Sequence, residues 1–213
     1  MVCSPNARAR GVALTDLGER FQDALAYAAA LHRSQRRKGT AIPYVAHLLG
    51  VASIALEIGA DEDQAIAALL HDAVEDQGGA PRLAEIRDRY GERVARIVAD
   101  CTDAEATPKP PWRERKQAYL ARLAAKPADS LLVSLADKTH NARAIVDDLA
   151  THGPALWDRF TGGRDGSLWY YRALADAFRA HLPGSAAERL ALVVEQMERA
   201  GGLVAGFDGA GRG

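Results

Sequence analysis

The sequence predicts an all-α protein, a single compact helical bundle, and three observations support this fold class. Apolar residues recur at helical spacing along most of the chain, as in segment 16–35, where Phe21, Leu25 and Ala28 share a face. Glycine and proline separate such segments at short intervals. No segment shows the alternation of apolar and polar residues that is typical of a half-buried strand.

Nine helices follow from these patterns. The first covers 16–35, with Thr15 or Asp16 as its N-cap, and the second covers 44–58, directly after Pro43. The third starts near Asp61, continues through the apolar run 65–70 and ends before Gly78. The remaining six helices are predicted over 81–89, 93–101, 112–124, 129–149, 168–181 and 186–200.

Loops and tails are predicted between and outside these helices. The proline-rich segment 107–111 predicts a loop, and the glycines at 162, 163 and 166 predict another interruption. We expect residues 1–14 and the glycine-rich residues 201–213 to be flexible tails. A folded domain of residues 15–200 is long enough to bury most of its apolar surface without disulfides.

Composition excludes several classes of protein. Because 27 basic residues balance 28 acidic ones, no overall charge attracts nucleic acid or an anionic membrane. Cys3 and Cys101 are the only two cysteines, which fits a reducing cytoplasm. No run approaches the roughly 18 apolar residues of a membrane span, and residues 1–10 have no apolar core of the signal-peptide kind. We expect a cytoplasmic protein without nucleic-acid or membrane partners; its oligomeric state stays open.

Seven polar residues interrupt helices that are otherwise apolar: His47, His71, Asp72, Glu75, Asp76, Asp137 and Asn141. Residues four apart lie on one helix face, so His71 aligns with Glu75 and Asp72 aligns with Asp76. His47 and Asp137 must come from other helices. Each residue alone could be an ordinary core or surface residue. Two imidazoles and two carboxylates together suit one Mn²⁺, Fe²⁺, Co²⁺ or Zn²⁺ ion.

The sequence around these residues contains several closely spaced motifs. It contains His32-x-x-Gln35-x-Arg37-Lys38, Pro43-Tyr44-x-x-His47, Ala-Leu-Leu-His71-Asp72-x-x-Glu75-Asp76, Tyr90-Gly91 and Leu135-Ala136-Asp137-Lys138-x-His140-Asn141-x-Arg143. Over roughly residues 20–150 the chain resembles the hydrolase domain of the RelA/SpoT alarmone enzymes, a domain of the HD superfamily. No synthetase region accompanies these motifs, so a stand-alone small alarmone hydrolase is expected.

The resemblance implies an HD-domain helical bundle that removes the 3′-pyrophosphate of (p)ppGpp with the help of Mn²⁺. The products would be GDP or GTP and pyrophosphate. By matching position, the metal ligands would be His47, His71, Asp72 and Asp137. Water activation and proton transfer would fall to Glu75 and Asp76. Contacts to the small nucleotide substrate would come from Arg37, Lys38 and Asn141.

Several alternatives stay open at this stage. Adenosine alarmones, (p)ppApp, would yield ADP or ATP in the same reaction. Another HD phosphohydrolase, a 5′-nucleotidase or a dNTPase, would use the same metal site, and a non-catalytic nucleotide sensor would keep only the binding. Segments 107–116 and 160–171 combine aromatic and basic residues. They could form a lid over the nucleotide, although packing between helices by Trp169 and Tyr170 is the favoured interpretation.

Overall fold

The computed structural model describes residues 15–102 and 110–202, and within these ranges it contains helices and no strand. In chain order the α-helices are α1 (Glu19–Leu31), α2 (Val45–Glu57), α3 (Glu62–Leu70), α4 (Ala73–Gln77), α5 (Gly79–Tyr90), α6 (Glu92–Cys101), α7 (Trp112–Leu123), α8 (Ala128–His152), α9 (Gly163–His181) and α10 (Ser185–Gly202). A 3₁₀ helix, Gly153–Arg159, follows α8. The predicted all-α fold is confirmed. The described ranges exclude most of both predicted tails, residues 1–14 and 203–213. They also exclude residues 107–109 of the predicted proline-rich loop.

Two apolar clusters form the core, and α8 contributes to both. The first cluster is built mainly from α1 to α6 and includes Val133 of α8. The second is built from α7, α9, α10 and the 3₁₀ helix and includes Leu131 and Leu135 of α8. Polar residues on α8 therefore lie where the two clusters meet. None of the described helices has the length and apolar character needed to cross a membrane.

The predicted third helix is in fact two helices, α3 and α4, separated at His71 and Asp72. The start at Asp61 is correct: its carboxylate accepts from the backbone N–H of Gln64 at 3.0 Å, and the Gln64 side chain accepts in return from the Asp61 N–H. The break follows from the His71 ring, which donates from Nδ1 to the carbonyl of Ala68 at 2.9 Å. That carbonyl is the acceptor that a continuous helix would offer to Asp72.

The start of α1 also differs from the prediction, because the N-cap position is Gly18 and not Thr15 or Asp16. The hydroxyl of Thr15 instead donates to the carbonyl of Ala60 at 2.7 Å. The backbone N–H of Gly18 donates to Oε1 of Glu62, also at 2.7 Å. These bonds to the region of α3 fix the entry to α1, so a side-chain cap was the wrong interpretation.

The C-terminal helices extend further than predicted. Helix α9 begins at Gly163 and runs through Gly166, and the indole of Trp112 packs against this glycine-bearing turn. The predicted interruption is present at Gly162, the N-cap position, where a Cβ would lie 2.6 Å from Cη2 of Trp112, whereas Gly166 does not interrupt the helix. The 3₁₀ helix was not predicted. Helix α10 continues to Gly202, and Gly201 is buried against Trp157.

Candidate metal centre and active site

Four of the predicted site residues converge at the meeting point of α2, the α3–α4 junction and α8. Nε2 of His47 lies 3.4 Å from Oδ2 of Asp72 and 3.4 Å from Oδ1 of Asp137. Nε2 of His71 lies 3.1 Å from Oδ2 of Asp72 and 3.5 Å from Oδ1 of Asp137. Both imidazoles and Asp137 are buried. Two nitrogens and two carboxylate oxygens thus face one small volume.

The donor set fits a divalent metal ion. Because the Nδ1–H of His71 donates to a carbonyl, Nε2 carries the lone pair whenever the ring is neutral, and this buried atom makes no hydrogen bond of acceptable geometry within the described residues. A buried polar atom without a partner requires an explanation, and a cation supplies one here. His47, His71 and Asp137 form a group whose ligand atoms lie within 4.8 Å of one another. Mixed imidazole and carboxylate ligands suit first-row transition metals.

Two further side chains orient these ligands, which is how metal centres are commonly supported. The hydroxyl of Tyr44 donates to Oδ2 of Asp72 at 2.6 Å. Nδ1 of His47 lies 2.9 Å from Nδ1 of His140, so one ring donates and the other accepts. Burial, with the neighbouring charges of His47 and Arg37, lowers the pKa of His140 to about 4. A neutral His140 can therefore accept the Nδ1–H of His47. Nε2 of His47 then carries the lone pair that can bind a cation.

The electrostatics of the group show that it needs a positive charge. Burial alone would raise the pKa of Asp72, but the facing imidazoles of His71 and His47 outweigh it and hold that pKa well below its usual range. The pKa of Asp137 is held low in the same way, with Lys138 as the largest favourable contribution. Burial lowers the pKa of His71, yet the two carboxylates raise it well above its ordinary value. In this arrangement a proton balances the charge that a metal ion would balance.

Asp137 is also the centre of a polar chain toward the loop between α1 and α2. It accepts from Nζ of Lys138 at 2.6 Å and from Nδ2 of Asn141 at 2.5 Å. Oδ1 of Asn141 in turn accepts from Nη2 of Arg37 at 2.8 Å. Two of the predicted substrate-binding residues are therefore connected to the candidate metal centre, and Lys38 follows Arg37 in the same loop.

The acidic pair lies on α4, one turn after Asp72. Glu75 is half-buried, and the carboxylate of Asp76 accepts from Nε2 of Gln35 at 2.8 Å. Partial burial, together with the charges of Asp72 and Glu75, raises the pKa of Asp76 against the opposing effect of Gln35. Oε1 of the same Gln35 lies 2.7 Å from Nδ1 of His32, whose buried ring stacks on Tyr44 at 5.2 Å between centroids. This network holds Asp76 near the candidate metal ligands.

A cavity of about 510 Å³ opens beside the metal ligands, a volume within the usual range for small-molecule sites. Its wall includes Asn141 and five basic side chains: Arg37, Lys38, Lys116, Lys138 and Arg159. Tyr170 lines the cavity and also packs within the second cluster, whereas Trp169 packs beneath the guanidinium of Arg113. Both Trp169 and Tyr170 therefore pack in the second cluster, as the favoured interpretation of segment 160–171 expected, and Tyr170 in addition faces the cavity.

Sequence reasoning quoted Tyr44, Lys138 and His140 in the motifs but gave them no role. Their partners are 28, 1 and 93 residues away along the chain, so only the adjacent Asp137–Lys138 pair left a local signal. Arg159 and Phe160 line the cavity from the unpredicted 3₁₀ helix and the residue after it. In the sequence, Arg159 and Phe160 are marked only as a basic residue next to an aromatic one.

The helical bundle and its histidine–aspartate centre define a protein of the HD class. The HD domain family matches residues 24–168, which is well over half of the chain, and the chain belongs to this family. The family implies a divalent metal ion, and the histidines and aspartates described above form a group that can hold it.

The particular relatives are alarmone hydrolases. Guanosine-3′,5′-bis(diphosphate) 3′-pyrophosphohydrolase MESH1 of Drosophila melanogaster is 36% identical over 142 residues, which cover 65% of this chain and 74% of the relative. Human MESH1 is 38% identical over 128 residues, covering 58% of this chain and 68% of the relative. A solved structure described as a metazoan ortholog of SpoT that hydrolyses ppGpp is 30% identical. It superimposes with a TM-score of 0.70 and covers 90% of this chain and all of that one. The resemblance to RelA/SpoT-type hydrolases is confirmed.

Proposed function

We propose that this protein hydrolyses the 3′-pyrophosphate of guanosine alarmones, (p)ppGpp, to GDP or GTP and pyrophosphate. One observation carries the proposal: each of two imidazole nitrogens lies within 3.5 Å of both aspartate carboxylates, in a chain related to enzymes named for this reaction. The adjoining cavity has basic residues on its wall, which suits a substrate that carries phosphates.

His47, His71, Asp72 and Asp137 are proposed to hold one divalent ion, and Mn²⁺ is the proposed metal because imidazole and carboxylate ligands together accept it. A divalent ion in such a site makes a water molecule acidic enough to react near neutral pH and neutralises charge on the phosphate. The buried imidazoles supply rigid lone pairs, since the other nitrogen of each ring is already engaged. Tyr44 and His140 restrict the motion of Asp72 and His47.

Glu75 and Asp76 are proposed to position the attacking water and to receive its proton. The raised pKa of Asp76 suits proton transfer, because a base works best when its pKa approaches the working pH. The Gln35 amide holds one oxygen of Asp76, which leaves the other oxygen available to the water. Glu75 occupies the preceding position on α4, closer in sequence to the ligand Asp72.

Arg37, Lys38 and Asn141 are proposed to bind the substrate beside the metal. Asn141 fixes Arg37 at 2.8 Å and also contacts Asp137, so the positive charge of Arg37 is held next to the metal ligands. Phosphoryl transfer depends mainly on placement and charge stabilisation. A guanidinium and an ammonium group at this point would neutralise the pyrophosphate as its bond to the 3′-oxygen breaks.

Product analysis tests the reaction directly. Protein loaded with Mn²⁺ is incubated separately with ppGpp, ppApp, dGTP and GMP, and the products are separated by anion exchange. Release of pyrophosphate from ppGpp, leaving GDP, is the expected result, and the relative rate with ppApp measures the preference for the base. Turnover of dGTP or GMP alone would move the protein to another branch of HD phosphohydrolases. Metal binding without any turnover would favour a nucleotide sensor.

Variants of the site separate metal binding from proton transfer. We expect His71→Ala to lose both bound metal and turnover, because it removes a buried imidazole from the residues proposed to hold the ion. We expect Glu75→Gln to keep the metal and to lose most of the rate, by about 10²-fold or more, if Glu75 takes part in proton transfer. Metal content by elemental analysis and initial rates are measured on the same samples. A Glu75→Gln rate within a few-fold of wild type would remove Glu75 from the proposal.

A further inference from the structure

An ammonium group lies beside the candidate metal ligands. Lys138 follows Asp137 on α8, and its Nζ donates to Oδ2 of that aspartate at 2.6 Å. The side chain of Lys138 is only 16% exposed, and it lines the cavity. A divalent ion held by the same aspartate would repel this ammonium, because like charges at short range destabilise each other. The ammonium therefore needs other contacts that hold it in place.

The ring of Tyr119, on α7, supplies such a contact. Nζ of Lys138 lies over this ring, 4.9 Å from its centroid. The face of an aromatic ring attracts a cation that lies within about 6 Å of the centroid, and the attraction is stronger where water is excluded. Tyr119 is fully buried, so little water competes with the ring for the ammonium.

Two further contacts fix the orientation of the ring. Nζ of Lys126, in the connection between α7 and α8, lies over the same ring at 4.2 Å from the centroid and donates to the carbonyl of Asp100. The hydroxyl of Tyr119 forms a hydrogen bond with the side chain of Ser134, which stands one turn before Lys138 on α8. The ring therefore cannot turn away from Lys138 without losing one of these contacts.

The position of Lys138 matters because it holds one of the two oxygens of Asp137. Oδ1 of Asp137 lies 3.4 Å from Nε2 of His47 and 3.5 Å from Nε2 of His71. Asn141 donates to this same Oδ1, whereas Lys138 donates to Oδ2. As long as the ammonium stays on Oδ2, Oδ1 is kept toward the imidazoles. An ammonium that turned into the cavity would free the carboxylate to rotate.

We infer that Tyr119 is a positioning residue, which holds Lys138 on Asp137 and thereby keeps a proposed metal ligand in its orientation. Tyr119 itself does not line the cavity, so it acts through Lys138 and contacts neither the ion nor the substrate. The inference rests on the proposed metal centre. It does not depend on which nucleotide is cleaved.

Metal titration by calorimetry compares the loss of the ring, in Tyr119→Leu, with the loss of only the hydroxyl, in Tyr119→Phe. We expect Tyr119→Leu to weaken Mn²⁺ binding by about 3- to 10-fold, because the charge of Lys138 remains near the ion but loses its support. Tyr119→Phe should stay within about twofold of wild type, since it keeps the ring. The control is Phe178→Leu, which truncates another buried ring of the second cluster and should keep the wild-type affinity. Circular dichroism confirms that each variant is folded.

The same substitution in a Lys138→Met background shows whether the ring acts through the lysine. We expect Tyr119→Leu to leave the Mn²⁺ affinity of Lys138→Met unchanged, because no ammonium remains to be held. An equal loss of affinity in both backgrounds would overturn the inference, since the ring would then only fill space. An equal loss in Tyr119→Phe and Tyr119→Leu would overturn it as well.

Chemical labelling follows the amine itself in the metal-free protein. After brief treatment with acetic anhydride, mass spectrometry compares Lys138 with Lys116, which lines the same cavity. We expect Tyr119→Leu to raise the relative acetylation rate of Lys138 by about threefold or more, and Tyr119→Phe and Phe178→Leu to match wild type. An unchanged rate in Tyr119→Leu would contradict the role of the ring.

These measurements also separate the inference from the proposed reaction. A wild type that binds Mn²⁺ with the expected dependence on Tyr119, but leaves ppGpp intact, would overturn the reaction and leave the role of Tyr119 standing. A wild type that binds no Mn²⁺ would overturn the metal centre and this inference together. Cleavage of ppGpp by a protein whose Mn²⁺ affinity and Lys138 labelling ignore Tyr119→Leu would overturn the inference alone.

Discussion

The imidazole of His140 occupies the space that a side chain at position 50 would need. A Cβ at Gly50 would lie 2.2 Å from Cδ2 and 2.3 Å from Nε2 of His140, so the ring must move if Gly50 becomes alanine. That movement breaks the 2.9 Å contact between His140 and the ligand His47. We expect Gly50→Ala to weaken metal binding by roughly 10- to 100-fold, as loss of a supporting hydrogen bond to a ligand typically does. Metal titration measured by calorimetry checks this expectation.

The control for Gly50→Ala is Ser53→Ala on the same helix. Ser53 is exposed, and its hydroxyl donates only to Glu57 of the same helix at 3.2 Å, so its replacement should leave the metal affinity unchanged. Circular dichroism on both variants distinguishes a local displacement of His140 from loss of the helix. Unchanged metal affinity in folded Gly50→Ala would show that His140 does not hold His47 in place.

At the same scale, the sequence predicts ligands better than it predicts their supports. The sequence indicates His71, Asp72 and Asp137 because each is a polar residue that directly follows apolar residues in a predicted helix. Gly50 gave no such signal inside an apolar helix. Its necessity arises from a ring on α8, 90 positions later, and helical periodicity relates only residues within one helix.

Among the elements, α3 carries the clearest local start signal. Asp61 and Gln64 form a reciprocal capping box, and Asp61 also pairs with Arg93 at 2.8 Å. We expect Asp61→Ala to destabilise the protein by about 1 kcal/mol through loss of the cap, since its surface ion pair contributes little. The melting temperature should fall by about 2–4 °C for a chain of this size. Asp88→Ala, at an exposed position of α5, serves as the control, and an equal melting temperature for the two variants would contradict a capping role.

The connection between α7 and α8 contains a lysine whose protonation depends on folding. Burial lowers the pKa of Lys126 to about 8. An unfolded lysine titrates at about 10.4, so between these values the unfolded chain binds more protons and the free energy of unfolding rises with pH. We expect wild type to gain stability relative to Lys126→Met as pH increases from 8 to 10, with no change in that difference below pH 7. Urea denaturation across this range measures it, and a pH-independent difference would contradict a lowered pKa.

Element boundaries were predictable where the signal is local and not where a tertiary contact decides. The capping box of α3 could be read from the sequence, whereas the break after Leu70 depends on the His71 ring, which takes the carbonyl of Ala68. Gly162 and Gly163 do mark the interruption before α9, whereas Gly166 lies within that helix, where the indole of Trp112 packs against it. The same residue type therefore has opposite meanings, and only the packing partner decides between them.

For the molecule as a whole, α8 determines how the two apolar clusters are coupled. Its residues Val133 and Ala136 are buried in the first cluster, while Leu135 and Ala142 are buried in the second. Asp137 lies between them, beside His47 and His71 from the first half of the chain. Loss of either cluster would release part of α8 and with it a candidate metal ligand. The two halves should consequently unfold together, and metal binding should stabilise both.

This coupling can be tested with Phe178→Ala, far along the chain from the metal ligands. Phe178 is fully buried in the second cluster, so its truncation should cost about 3–5 kcal/mol. We expect a single calorimetric transition in wild type and in the variant, and an upward shift of both by saturating Mn²⁺, because the ion binds only the folded state. Leu192→Ala, exposed on α10, should melt close to wild type. Two separate transitions in Phe178→Ala, with only one responding to Mn²⁺, would instead show that the second cluster unfolds independently of the metal centre.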